Sequence, residues 1–584
     1  MSATEWGQRV ERHKWVLALV LWAACVCYAA LRLRHGWVAH DAGALGESAQ
    51  RVLAGQLPHR DFDEIYTGGL SYLNALSFRM WGTSIVAMRI TLLIAYALWL
   101  PAVYAIASRI APLPLAVTVT LLAASWGIPV YPEAMPSWYN LFFATFGVAA
   151  LFSYLDHGHR RWLMAAGVCA ALSCLIKIVG LYFVGAALLF LLYHEQDRTP
   201  KDVSGVGDRL GSVLVTVGVL FFDAALLVLV RDHITPDVLV QFVLPGAALS
   251  TLLMWREWRA PPTVLRTRVA GLAGIGLPFV AGLLLPIALA LIPYAATGSL
   301  GALVNGVFVL PARRLSYAYF RPRGALAFLI LAVSGVVIPR VARAFSVRER
   351  VETELLLTMA FLAIPGAASM GVVYRLAWIP MRAMVPLAAV WAAWHLARHA
   401  NDKSGDSGNA RIFLLATATA LCGLVQFPFA APVYFFYVGS MAALTAVALA
   451  SRRGPAWRRL TGVCAAAYLA FAVIWIHSSS VFTMGFSNFR DNQHAALLLP
   501  RGGIDVSPRD SALYSVLVRD LRAHSRSIYT YAGPDTPQIY FLSGLRNPTR
   551  TLFDFFDDSV GRTPRIMREL DARGVTAVAI NAHG

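Results

Sequence analysis

Apolar residues in this chain come in long blocks, not in the short alternations of a soluble domain. They fall at 15–31, 84–108, 112–130, 138–155, 162–177, 179–193, 210–230, 236–255, 269–293, 324–338, 354–371, 379–397, 411–430, 432–450 and 459–477. A helix needs about 20 apolar residues to cross the hydrocarbon of a bilayer, and fewer if it is only embedded. The pattern therefore predicts about fifteen crossing or embedded helices. Every second connection is basic: Arg109, DHGHRR, HEQDRTPKDVSGVGDR, WREWRAPPTVLRTR, PRVARAFSVRER, HLARHANDKSGDSGNAR and SRRGPAWRR. Cytoplasmic loops retain Lys and Arg, so the N-terminus is expected inside, and an odd number of segments puts the tail outside. This divides the chain into a membrane domain, 1–477, and an extracytoplasmic domain, 478–584.

Three parts lie outside the bilayer on the far face. The first outer loop, 32–83, carries HDAGALGESAQRVLAGQLPHRDFDEIYTGG, where Ala44, Leu45, Ala49, Val52 and Leu53 have helical spacing and one apolar face. This helix is expected to lie along the membrane surface. A second loop, VNGVFVLPARRLSYAYFRP, interleaves aromatics with Arg313, Arg314, Arg321 and Arg323, as an interfacial segment does. In the tail, RDSALYSVLVRDLRAH and GRTPRIMRELDARG have helical spacing, while SIYTYAG and TAVAIN are strand-like. The expected fold is an α-helical polytopic membrane protein of about 13–15 membrane segments, with a large first outer loop and a small C-terminal α/β domain.

Composition agrees. Of 584 residues, 58% are hydrophobic and only 14% charged, with a mean hydropathy of +0.59, whereas soluble chains are nearer a quarter charged. The net charge of +18 sits in short groups between apolar runs; it is topology, not a nucleic-acid footprint. Cys25, Cys27, Cys169, Cys174, Cys422 and Cys464 all fall inside apolar runs, so neither disulfides nor a metal cluster is expected. The basic flank and apolar stretch at the N-terminus are expected to be a retained first span, since no small-x-small cleavage site leads into a soluble domain.

The first outer loop holds five acids, Asp41, Glu47, Asp61, Asp63 and Glu64. A carboxylate beside a membrane surface can take a proton from an acceptor hydroxyl or hold a metal or an amine; Asp41 also suits a helix N-cap. Lys177 stands between two apolar stretches of about fifteen residues, each short for a crossing. The pair is expected to form a shallow hairpin with the lysine at depth, satisfied by a lipid phosphate, by a carboxylate such as Asp223, or by helix-end carbonyls. Arg313 and Arg314 could clamp a phosphate or simply meet headgroups. Glu133, Trp138, Tyr139 and Asn140 share the YPEAMPSWYN loop, whose aromatics suit a membrane belt or a sugar ring. G-x-x-x-x-G-K-[ST], H-E-x-x-H and G-x-S-x-G patterns are absent, which leaves no cytoplasmic ATP site, zinc-protease motif or serine nucleophile elbow to assign.

The stretch from HDAG through AQRVLAGQLPHRDFDEIYTGGLSYLNALSFRMWGTSIVAMR resembles the N-terminal region of bacterial GT-C superfamily glycosyltransferases, the group of protein O-mannosyltransferases and lipid A aminoarabinose transferases. PSWYN, AGVCAALSCLIKIVGLY and TPQIYFLSGLRNPTR add to it; the likeness covers the first 195 residues and the tail, and the middle only generically. It implies inverting transfer of a sugar from a polyprenyl-phosphate donor, without nucleotide, to a glycan or lipid acceptor on the extracytoplasmic side of a bacterial inner membrane. Asp41 matches the family's catalytic acid and Asp61 a second recurring acid. Lys177, with Arg313 or Arg314, would meet the lipid phosphate, and Tyr66, Glu133, Trp138, Tyr139 and Asn140 would line the substrate. No cofactor is required; some relatives place a divalent cation at the acids, here Asp41 and Asp61. Where protein O-mannosyltransferases carry an Asp-Glu pair this chain has Asp41-Ala42, which argues against a protein acceptor. Two other classes stay open: a transporter or flippase, although no internal repeat is seen, and a scaffold that binds prenyl lipid without turnover.

Overall fold

The computed structural model describes residues 3–198, 209–262, 264–311, 319–344, 347–400, 407–476, 494–554, 557 and 560–582. Arg313 and Arg314 lie outside the described residues, as does the 477/478 boundary. All fifteen apolar blocks fall on helices. Among the described residues eleven helices are long and apolar enough to cross a membrane, and shorter apolar helices occur at Val16–Arg32, Leu300–Val309 and Ala325–Val337. Val347–Ala367 is not among the eleven, because Arg348, Glu349, Arg350, Glu352 and Glu354 occupy its first turns.

Eight helices build the part that matters for the site: α1 (Ala3–Arg32), α2 (Ala39–Leu53), α3 (Gly69–Trp81), α4 (Ile85–Ile110), α5 (Leu113–Ser125), α6 (Pro136–His157), α7 (Arg160–Ile176) and α8 (Leu181–Arg198). Their starts follow local chemistry. The Ser84 hydroxyl accepts from the Ala87 N–H at 3.2 Å and caps α4, and proline opens α6 and the later helices Pro432–Arg453 and Pro455–Trp475. Trp99, Trp126 and Trp138 are fully buried between helices.

The connections sort to two ends. At one, Arg109 in the last turn of α4 meets Asp156 at the end of α6 at 2.8 Å, and Arg411 binds the same carboxylate. At the other, Tyr131 after α5 reaches Asp41 in α2, and Lys177 after α7 reaches Ser137 at the start of α6. The basic loops therefore share one end and the first outer loop the other.

The α7–α8 hairpin departs from expectation. Helix α7 has 17 residues and α8 has 18, about 25 Å each at 1.5 Å per residue. Lys177 stands at the end where α6 begins, so the hairpin is deep, and the lysine sits toward the first-loop face. The apolar block understated α7 because its first turn is Arg160-Arg161. Nor does Asp223 serve Lys177; it accepts from the Ser250 hydroxyl at 2.8 Å.

The tail after residue 493 is a small α/β unit. Ala495–Ala496 pairs antiparallel with Asp505–Val506, and Tyr531–Gly533 pairs parallel with Val578–Ile580, with helices Pro508–His524, Pro537–Ser543 and Arg562–Ala572 between them. It is bound to the first loop by backbone bonds from Asp505 N to Arg34 O (2.8 Å) and Gly36 N to Asp505 O (3.1 Å), and to the start of α4 by Ile85 N to Arg501 O (3.0 Å).

Helix α2 is consequently covered on more than its apolar face. Residues 42–49 and Arg51 are buried, the polar Glu47, Ser48 and Arg51 included. Pro537–Ser543 covers the polar side. A Cβ on Gly43 would stand 2.2 Å from the Gln538 backbone, and one on Gly46 2.5 Å from the Phe541 ring. Only glycine permits that approach.

Candidate functional site

The five acids of the first loop end in different surroundings. Glu47 is buried and pairs with Arg51 at 3.3 Å; burial pushes its carboxyl up, with the Arg51 charge opposing. Glu64 accepts from the Ser71 hydroxyl (2.6 Å) and the Ile65 N–H (2.9 Å), and burial raises it too. Asp63 takes Arg550 at 2.7 Å. Both Asp61 oxygens are engaged: Arg60 donates to each, at 2.8 and 2.7 Å, and the Leu57 N–H adds 2.7 Å. These hydrogen bonds, Arg60's first, hold its carboxyl below the usual range. Asp61 closes the 57–61 turn.

Asp41 is different. It occupies the first turn of α2, its side chain one-fifth exposed, with the imidazole of the open His40 at 3.5 Å from Oδ1. The Tyr131 hydroxyl donates to Oδ2 at 3.0 Å. Burial, then the charges of Asp41 and Glu133, push the Tyr131 phenol well up, so it stays a proton donor to the carboxylate.

Tyr131 is itself fixed. Its carbonyl accepts from the Trp138 indole at 3.0 Å, and Trp138 stands edge-on to Tyr437 with ring centres 4.7 Å apart. Tyr437 lies within electrostatic reach of Asp41, Glu133 and Tyr66. The Lys177 ammonium sits 5.6 Å above the Tyr66 ring and donates to the Ser137 hydroxyl at 3.2 Å. Tyr131, Trp138 and Tyr437 thus pack behind the carboxylate, and the two charges share one end of the helix bundle.

The other expected substrate residues face inward. Glu133 is buried and paired with Arg89, which also donates to Leu33 O (2.8 Å) and Gly36 O (2.7 Å). Asn140 donates to the Ser173 carbonyl and hydroxyl at 2.8 and 2.7 Å. Tyr139 is buried against Phe142, ring centres 6.3 Å apart. Glu133 and Trp138 thus engage the scaffold around the site, as does the amide nitrogen of Asn140. Sequence reasoning passed over Tyr131, His40 and Tyr437; only the proximity of Tyr131 to Glu133 in the YPE turn could have pointed to the first.

Among the described residues no three His, Cys, Asp or Glu side chains are grouped to hold a metal, and the Asp61 oxygens are occupied by Arg60 and a backbone N–H.

No family model and no curated protein matches the chain. Among solved structures it is similar to ArnT from Cupriavidus metallidurans bound to undecaprenyl phosphate, at 14% identity and a TM-score of 0.38, covering 99% of this chain and 90% of that one. It is also similar to the oligosaccharyltransferase of Archaeoglobus fulgidus in complex with zinc and sulfate, at 13% identity and a TM-score of 0.32, over 90% of this chain and 62% of that one. A third likeness is to the archaeal oligosaccharyltransferase AglB from Archaeoglobus fulgidus, in complex with an inhibitory peptide and a dolichol-phosphate; identity is 12% and the TM-score 0.36, over 92% of this chain and 65% of that one.

Proposed function

We propose that this protein moves a sugar from a polyprenyl-phosphate donor to a glycan or lipid acceptor at the membrane face where α2 lies. One observation carries the reading: of the five first-loop acids, Asp41 alone is neither buried nor paired with an arginine, and it shares its end of the bundle with the Lys177 ammonium.

The chemistry follows. An acceptor hydroxyl reaching Asp41 gives its proton to the carboxylate as its oxygen attacks the anomeric carbon. The bond from that carbon to the phosphate oxygen breaks on the opposite face, and configuration inverts. The departing lipid phosphate carries the electron pair away as an anion, and Lys177 supplies the opposing charge, an interaction that strengthens as charge develops. Proton transfer by a positioned base contributes about 10²–10⁴-fold. The Tyr131 hydrogen bond orients the Asp41 carboxylate. Asp61 and Arg60 hold the loop, and no step needs a second acid or a metal. A carboxylate and an ammonium built into an apolar bundle suit an amphiphilic donor, whose chain stays in lipid while its head reaches water. The resemblance of the run around Asp41 to membrane glycosyltransferases supports the same reading.

The test is incubation of the purified chain in lipid with radiolabelled polyprenyl-phosphate sugars and a cell-envelope extract, beside Asp41→Asn. Label passing to an envelope component with the native protein and not with the variant is the expected result. Binding of the lipid by both proteins with transfer by neither would turn the reading toward a carrier or scaffold.

A further inference from the structure

A cavity runs inward from the end of the bundle away from Asp41. It has a volume of about 300 Å³ and lies between α5, Gly371–Arg398, Pro432–Arg453 and Pro455–Trp475, with Trp126 just past α5 on its wall and Leu331 and Phe361 contributed by two further helices. Its place follows from the helix Pro432–Arg453, which has Tyr437 near the Asp41 end and finishes at Arg453 among the basic loops.

The length of the cavity is informative. Its lining on one helix runs from Ala443 to Arg453 and on the next from Trp457 to Tyr468. Each stretch spans about 15–17 Å at 1.5 Å per residue, half the roughly 30 Å hydrocarbon thickness. The groove is one leaflet deep. Apart from Arg453 and Thr461, its walls are hydrocarbon, aromatic rings, sulfur or the Tyr468 ring.

The mouth has a different chemistry. The Arg453 guanidinium stands 4.4 Å from the centre of Trp391, 4.9 Å from Trp457 and 5.3 Å from Trp394, while Arg398 stacks on Trp394 at 4.0 Å. Tryptophans mark the bilayer interface, and a guanidinium held over rings keeps its forked N–H donors for a phosphate. An apolar slot one leaflet deep, ending in an oriented cation at headgroup height, is complementary to one molecule: a lipid with a single-leaflet chain and a phosphate.

We propose that this cavity holds an acyl chain of a glycerophospholipid from the leaflet on the basic-loop side, with the lipid phosphate on Arg453. The site is separate from the Asp41 face and does not depend on the sugar-transfer reading. A long polyprenyl chain overruns a slot of this length, so the occupant is a diacyl lipid.

The experiment uses the full chain in detergent with a phosphatidylglycerol carrying a photoactivatable group on one acyl chain, and maps adducts by peptide mass spectrometry. Adducts are expected on peptides covering residues 380–391 and 443–468. Ala446→Trp, which fills the slot, should lower them at least tenfold, and Arg453→Gln, which leaves the slot open, at least threefold. Unlabelled phosphatidylglycerol should compete and phosphate-free diacylglycerol should not. Unchanged adducts in Ala446→Trp, equal competition by diacylglycerol, or stronger competition by a polyprenyl phosphate would each overturn the proposal. If Ala446→Trp fails to give a monodisperse sizing profile, Arg453→Gln and the competition arms decide alone.

Discussion

Replacing Arg89 by Met tests the scaffold around the site. Arg89 and Glu133 are both buried, and the guanidinium also satisfies the Leu33 and Gly36 carbonyls, at 2.8 and 2.7 Å. Removing one partner of a buried ion pair costs about 3–5 kcal/mol, because the other charge is left without compensation. An unfolding entropy of about 2.1 cal/mol/K per residue gives about 1.2 kcal/mol/K for 584 residues melting together. The midpoint of thermal loss of monodisperse protein should therefore fall by at least about 2–4 °C, and by more if the helices melt only in part. Burial already raises the Glu133 carboxyl against the pull of Arg89. Without Arg89 its folded-state pKa rises further above the unfolded value. The native fold then holds the proton more tightly than the unfolded chain, so the deficit should grow as pH rises through the carboxyl range and be larger at pH 7 than at pH 4. Adding Glu133→Gln should recover much of the loss, since it removes the stranded charge. An Arg89→Met deficit no larger than that of the exposed Arg266→Gln, or one unaffected by Glu133→Gln, would refute the reasoning.

Two further outcomes follow from the same geometry. Tyr131→Phe removes a hydrogen bond to a carboxylate worth about 1.5–3 kcal/mol, so kcat for sugar transfer should fall about 10–150-fold with donor binding unchanged; a change in KM alone would mean that Tyr131 contacts substrate instead. His59 is buried and its pKa is lowered to about 4. A folded pKa below the unfolded 6.5 contributes stability that is complete above pH 6.5 and lost as pH falls toward 4, up to about 3 kcal/mol. The drop in melting midpoint between pH 7 and pH 5 should therefore shrink in His59→Asn, a residue that tolerates the left-handed backbone at this position.

Much of the architecture was legible in the sequence because lipid imposes a simple rule on composition. Uncharged runs became helices, basic connections gathered at one end, and the alternating tail became an α/β unit. What stayed hidden depends on partners far along the chain. The burial of the second side of α2 was hidden because its cover, Pro537–Ser543, lies some 490 residues downstream, and Gly43 and Gly46 disclose their role only once Gln538 and Phe541 are in place. The 13 residues of α3 escaped notice because Ser71, Asn74 and Ser77, though polar, are buried. Glu133 looked like an open loop acid, since nothing local reveals that Arg89 faces it. Of the candidate site, the sequence singled out Asp41 as a candidate and not Tyr131: a tyrosine on an apolar turn gives no sign of which carboxylate it will meet.

The central claim is that Asp41 is the base of a sugar transfer from a lipid phosphate. It is tested most directly by single-turnover reaction of the purified chain with a labelled polyprenyl-phosphate sugar, counting sugar transferred and lipid phosphate released. The account predicts one lipid phosphate for each sugar moved, a fall of at least about 10²-fold in Asp41→Asn, and near-native rates in Asp61→Asn under conditions where that variant stays folded. Equal loss in both variants, or transfer that survives Asp41→Asn, would contradict it.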